Sequence, residues 1–227
     1  VADRLARAVP GAARIEVFDD ADMLAREAFA RHPAHAAAVR LAARRVHFVI
    51  CGFGRLGQAM AEEAIFSGLA AGLDKPFITV LDVDAEARER LYRAARPGLD
   101  LAADFAFIPA DLVTAAQVLQ SAEPAFEALR ARDAAARVTG LALCLGDDID
   151  NVRLALALPE LRRREGRYVA PTFLRARDRS ALGIVVPAAE AGEEIVPLTL
   201  AGALLATAVL DTDRRDAAAR LVHAAYW

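Results

Sequence analysis

Residues 47–60 read HFVICGFGRLGQAM, and no other stretch constrains the fold as much. His47 to Cys51 are aromatic, β-branched and apolar, the composition of a buried strand. They run directly into Gly52-x-Gly54-x-x-Gly57 and then into a helical pattern that puts Leu56, Met60 and Ala64 on one face. Each glycine has a reason in such a turn. Gly52 permits the tight bend, Gly54 lets the backbone approach a pyrophosphate, and Gly57 lets the helix pack closely on the sheet. The anion would rest on free N–H groups at the positive end of the helix dipole. The order of elements predicts a dinucleotide-binding turn. A glycine-rich strand-to-helix turn without a ligand would use the same residues.

The chain has 227 residues, 56% of them hydrophobic, enough to bury one substantial core. Strand and helix patterns alternate after the glycine turn. PFITVLDVD (76–84) reads as a second strand, 85–95 as a helix, DFAFIPAD (104–111) as a third strand and 112–135 as helical. A fourth strand is expected from Val138 to Leu145, then a helix to about Arg164, then short strands at Tyr168 to Leu174 and Gly183 to Val186. This alternation predicts an α/β fold, a Rossmann-like doubly wound parallel sheet in three α/β/α layers, with helical N- and C-terminal extensions. The expected boundaries are a helical lead-in at 1–44, broken at Pro33 and packed on the domain edge, a nucleotide-binding domain at 45–188, and an extension at 189–227.

A net charge of −3 with arginines dispersed among carboxylates gives no reason to expect nucleic acid. Two cysteines, Cys51 and Cys144, lie in apolar strand-like runs without a CxxC, which points to a reducing cytoplasmic compartment. The nearest approach to a membrane span, Ile195 to Leu210, is short and interrupted by Pro197 and Thr199. There is no signal-peptide pattern. The start at Val1 and the end at Trp227 fit a piece of a longer protein.

Asp82 closes the second strand, where a dinucleotide fold uses a carboxylate to accept hydrogen bonds from the adenosine ribose. It stands 25 residues after Gly57, and the loop SGLAAGLDKP accounts for the length. The next residue is Val83 and not arginine, so a 2′-phosphate would meet a carboxylate with no evident counter-ion; NAD is favoured over NADP. Asp84 could take the role of Asp82, or both acids could cap the following helix.

Other polar clusters have simpler readings. Asp147, Asp148, Asp150 and Asn151 fall at a strand-to-helix junction, where capping explains them better than a metal. His32 and His35 lack further ligands at zinc spacing and read as surface residues. Arg162 to Arg164 complement the end of a helix, and Arg175, Arg177 and Arg179 alternate like a solvated strand edge. A hydride-transfer site needs a His, Lys or Tyr near the nicotinamide. The one lysine, Lys75, precedes the second strand, and no Tyr-x-x-x-Lys or GxSxG occurs. These features predict a sensor and not a catalyst, with an NAD-dependent oxidoreductase completed by another domain or chain as the alternative.

VHFVICGFGRLGQAM, ITVLDVDAEA, Asp111 after the third strand and LALCLGDDIDNVRLALALPEL together resemble the TrkA-N or RCK domain, a cytoplasmic nucleotide-binding regulator of potassium channels and transporters. The resemblance covers roughly residues 45–186. It implies NAD(H) or another adenine nucleotide held by Gly52, Gly54, Gly57 and Asp82, with the amides of Arg55 and Leu56 facing the phosphates. Phe53 within the turn, Val83 after the acid and Asp111 complete the expected set. It also implies a homodimer and a membrane transport module as partner. Where the family often has Gly-Asp-Ala after the third strand, this chain has Pro109-Ala110-Asp111. Residues 211–227, with Ala219-Arg220 and His223-x-x-Tyr226, resemble the opening helix of a RyR-type repeat domain, and an amphipathic helix at a domain end fits them equally well.

Overall fold

The computed structural model describes residues 19–112, 137–155, 171–176 and 195–199. At its centre lies β1 (Arg45–Cys51), buried along all but its first residue. The side chains of this strand alternate between two cores, as the period of a pleated strand requires. Val46, Phe48 and Ile50 join one cluster, and Val49 and Cys51 join the other. Both faces of the sheet are therefore covered, the condition under which a strand reads as a continuous apolar run.

Five further strands follow: β2 (Asp74–Asp82), β3 (Asp104–Pro109), β4 (Gly140–Leu143), β5 (Thr172–Arg175) and β6 (Ile195–Leu198). All pair in parallel, in the order β3-β2-β1-β4-β5-β6. This is the doubly wound Rossmann order, which leaves from the centre in both directions. Pro76 sits inside β2, at an irregularity of the pairing with β1. The register passes from Arg45↔Asp74 to His47↔Phe77, a bulge that takes up one extra residue of β2 around the proline.

The sixth strand differs from expectation. Residues 183–186 lie outside the described residues, and the strand that pairs with β5 is Ile195–Leu198, from the stretch expected to be an extension beyond the sheet. Pro197 within it sits at a sheet edge, where a missing N–H is tolerated. The expected helix at 112–135, the arginines 162–164, 177 and 179, and the tail at 211–227 also lie outside the described residues.

Five helices are fully described: α1 (Asp20–Arg31), α2 (Ala34–Arg40), α3 (Arg55–Gly68), α4 (Ala85–Ala95) and α5 (Leu99–Ala102). Another begins at residue 148 and is described to residue 155. Pro33 separates α1 from α2, as its position suggested. The pair does not sit at the domain edge, however. The ring of Phe29 lies 5.3 Å from Phe48 of β1 and 5.2 Å from Phe173 of β5, so α1 covers the middle of one sheet face. Right-handed crossovers after β1 and β2 bring α3 and α4 to one face over one half of the sheet. The N-terminal helices cover the half those crossovers leave open. Ala21, Ala25 and Ala28 are buried on one face of α1 and permit its close approach to α3.

Glu63 of α3 is half-buried in the α1–α3 seam with Arg26 Nε 3.6 Å away. Burial pushes its carboxyl up to about 7, opposed by Arg26 and reinforced by Glu62 and Asp22. A carboxyl raised above its unfolded value binds protons more readily in the folded state, so stability falls as pH rises from about 4.5 to about 7. Glu63→Gln is expected to raise Tm at pH 8 by a few degrees, on the order of 1–2 kcal/mol, with little effect at pH 5. Thermal melts of both proteins across this range would show the two curves converging toward low pH.

Candidate functional site

The order of strands reverses between β1 and β4, and at their carboxyl ends a crevice opens. A cleft of about 490 Å³ lies there, bounded by the glycine turn, the end of β2, the segment after β4 and the first turn of α1. The turn is held from beneath. Gly52 has φ +89° and donates its N–H to Leu81 O at 2.8 Å. A Cβ at Gly52 would lie 2.9 Å from Cys144 O, and one at Gly57 would lie 2.2 Å from Gly52 O. Both positions therefore require glycine for the protein's own packing. Gly54 is different: its φ is −72°, within reach of any residue, and a Cβ there would meet nothing within 4 Å. It caps the N-terminus of the 14-residue α3 without a side-chain hydrogen bond and lines the cleft. The first N–H groups of that helix have no intrahelical partner.

Asp82 reaches the turn, as its place at the end of β2 suggested. Its carboxylate is engaged within the protein: Oδ2 accepts the Phe53 N–H at 2.6 Å and Oδ1 accepts the Asp84 N–H at 2.9 Å. Each oxygen accepts one backbone N–H and can accept a second hydrogen bond, so ribose hydroxyls remain within its chemistry. Asp84 is the N-cap residue of α4 but makes no side-chain capping bond. The capping acceptor at this junction is Asp82 itself.

Phe53 departs from its expected place in the ligand site. Its ring is fully buried against Tyr92 at 4.9 Å and Phe107 at 5.2 Å, and its amide is given to Asp82. An aromatic ring flanked by glycines finds more apolar contact in the core than at a polar rim. Phe53 anchors the turn. Arg55, Leu56, Val83 and Asp111 do line the cleft, with Val83 69% exposed at its lip. Gly57 lies beneath the turn, packed on Gly52.

Two further arginines line the cleft: Arg88, which the sequence pattern did not single out, and Arg175, expected at a solvated edge in preference to an anion site. Arg88, one turn into α4, brings Nε to 3.9 Å from Asp82 Oδ1. The premise that no cation stands near Asp82 is thereby corrected: the position after the acid is Val83, but a helical turn brings Arg88 back to it. The preference for NAD over NADP loses that support. Arg175 is not on a solvated edge; half-buried, it lines the cleft and donates from Nη1 to Leu145 O at 2.9 Å. Its spacing of two to Arg177 and Arg179 suggested a strand face, whereas β5 ends at Arg175 and turns the side chain over the end of β4.

The segment after β4 is braced by Asn151, fully buried, which accepts the Leu145 N–H at 2.9 Å and donates to Leu145 O at 3.2 Å. Asp147 caps the following helix by accepting the Ile149 N–H at 2.7 Å, and Asp150 pairs with Arg153 at 3.2 Å. No group of three metal-ligating side chains occurs among the described residues. His35 Nδ1 pairs with Ser67 O at 2.8 Å, and His32 packs edge-on to Phe173. Burial pushes the Cys51 thiol up to about 12 and raises Cys144 as well, so both stay protonated and unreactive at neutral pH.

No family model and no curated protein matches the chain. Among solved structures it is similar to the crystal structure of the GsuK RCK domain, at 16% identity and a TM-score of 0.39, over 74% of this chain and 29% of that one. It is also similar to the GsuK channel, at 18% identity and a TM-score of 0.42, over 75% of this chain and 24% of that one. The chain spans less than a third of either.

The Asp82 bonds make a stability prediction. Asp82→Ala leaves the buried Phe53 N–H without its acceptor and is expected to cost about 1–3 kcal/mol. Asp82→Asn keeps one acceptor oxygen and is expected to cost less. Urea denaturation would rank wild type, Asn and Ala in that order; an Ala variant as stable as wild type would refute the anchoring role.

Proposed function

We propose that the cleft binds NAD(H) or another adenine nucleotide and that the domain is regulatory, passing ligand occupancy to a membrane module that conducts or transports potassium. The observation that carries the binding half is Gly54. Neither backbone conformation nor packing within the protein calls for glycine there, and the missing side chain leaves open space at an uncapped helix N-terminus. A ligand backbone or phosphate drawn to that N-terminus is what the vacancy suits.

The regulatory half rests on the sequence resemblance to TrkA-N and RCK domains over residues 45–186, together with the character of the cleft. Its described ionisable lining consists of aspartates, arginines and the protonated Cys144. Lys75 pairs with Asp104 at the opposite, N-terminal ends of the strands. No His, Lys or Tyr stands among the described lining residues, and this favours sensing over turnover. No described helix is long and apolar enough to cross a membrane. In this reading the domain works in the cytoplasm, paired with a second copy, as the soluble part of a membrane protein. Ligand can shift such a pair between arrangements only through unequal affinity for them.

Gly54→Ala tests the reading with little risk to the fold. The added methyl meets no protein atom and alanine is only a poorer N-cap than glycine, so Tm is expected to fall by no more than a few degrees, while NADH affinity by isothermal titration is expected to fall at least tenfold. Equal affinity in the two proteins, or no binding of NADH, ATP or AMP to the wild type at millimolar concentration, would overturn it.

A further inference from the structure

The N-termini of α1 and α3 meet at the rim of the cleft. Asp20, the first residue of α1, lines it together with Gly54 and Arg55 of α3. Arg55 Nη2 donates to Asp19 Oδ1 at 2.8 Å and to Asp20 Oδ1 at 2.9 Å. The Arg55 guanidinium, more than any other group, holds the Asp19 carboxyl below its ordinary range. Two carboxylates therefore share one cation, and the rim keeps an excess negative charge beside the helix end that would receive a phosphate.

Arginine is the side chain best shaped to grip a phosphate, through two parallel hydrogen bonds. Here it is already committed to two acids from another helix. On the far side of the turn, Arg88 stands beside Asp82, so its charge is balanced as well.

We propose that Asp19 and Asp20 are specificity-determining residues that set how much phosphate charge the cleft admits. They favour an adenine dinucleotide or a nucleoside monophosphate and discriminate against a nucleoside triphosphate. This inference rests on the nucleotide reading of the cleft and deepens it. A triphosphate carries about twice the charge of a dinucleotide pyrophosphate, so the same excess carboxylate repels it about twice as strongly. The groups are solvent-exposed, and the effect weakens as salt rises.

The double variant Asp19→Asn/Asp20→Asn removes both charges and leaves α1 capped, because asparagine caps a helix as well as aspartate does. Titration calorimetry of the full chain with NADH and with metal-free ATP, in wild type and variant, reads the result. ATP affinity is expected to rise roughly tenfold and NADH affinity roughly threefold, with both gains shrinking in 0.5 M salt. Binding with an unchanged ratio of the two affinities would overturn this inference alone. Failure of both proteins to bind either nucleotide would overturn the nucleotide reading, and this inference with it.

Discussion

The hydrogen bond from the Phe53 N–H to Asp82 Oδ2, 2.6 Å long and buried, is the interaction on which the site depends. It joins the residue that leaves β1 to the residue that ends β2, and so fixes the turn relative to the sheet. A bond to an ionised acceptor is short and among the stronger kinds. The other Asp82 oxygen takes the Asp84 N–H and starts α4. One side chain thus orders both the glycine turn and the helix that brings Arg88 into the cleft. With Phe53 pinned by its amide, its ring drops between Tyr92 and Phe107, and Arg96 lies over the Tyr92 ring at 4.1 Å.

From that anchor the walls of the cleft follow. Gly52 continues the ladder to Leu81 while Cys144 donates its N–H to Cys51 O at 2.8 Å, so the ends of β1, β2 and β4 are bonded side by side. Asn151 then holds the chain beyond β4 at Leu145, and Arg175 donates to the same carbonyl from β5. Three walls are in this way tied by hydrogen bonds to the sheet. The fourth, the first turn of α1, is joined to the turn region by the ion pairs of Arg55, while its alanine face and Phe29 fasten it to the core.

Much of this was legible in the chain. The strand pattern of 47–51, the glycine spacing and the acid at 82 located the turn and its anchor, because local sequence decides a strand-to-helix junction. The parallel, doubly wound sheet followed from alternation of elements. What stayed hidden depends on contacts far apart in sequence. Nothing near Arg88 or Arg175 reveals that a helical turn or a strand end brings each to the same crevice. Phe53 looked like part of the turn because its ring's destination, Phe107, lies 54 residues away. The lead-in helices looked peripheral because the vacancy they fill on the sheet exists only once the crossovers have taken their hand. Ile195–Leu198 looked like an extension because a four-residue edge strand holding a proline carries a weak strand pattern.

The three glycines are alike in the sequence and unlike in the structure. At Gly52 and Gly57 a side chain would collide with the protein's own backbone, so those residues would be needed whether or not anything binds. A turn that served only to join a strand to a helix would be complete with those two. Gly54 lies between them in an ordinary conformation with open space before it, and any small residue would satisfy the fold there. Serine or aspartate, better caps for an N-terminus than glycine, would add stability there. A cap side chain at this position would occupy the N–H groups that an incoming anion needs. Gly54 leaves α3 uncapped from within, and an uncapped helix end opening on a cleft is a place for a ligand to supply the cap.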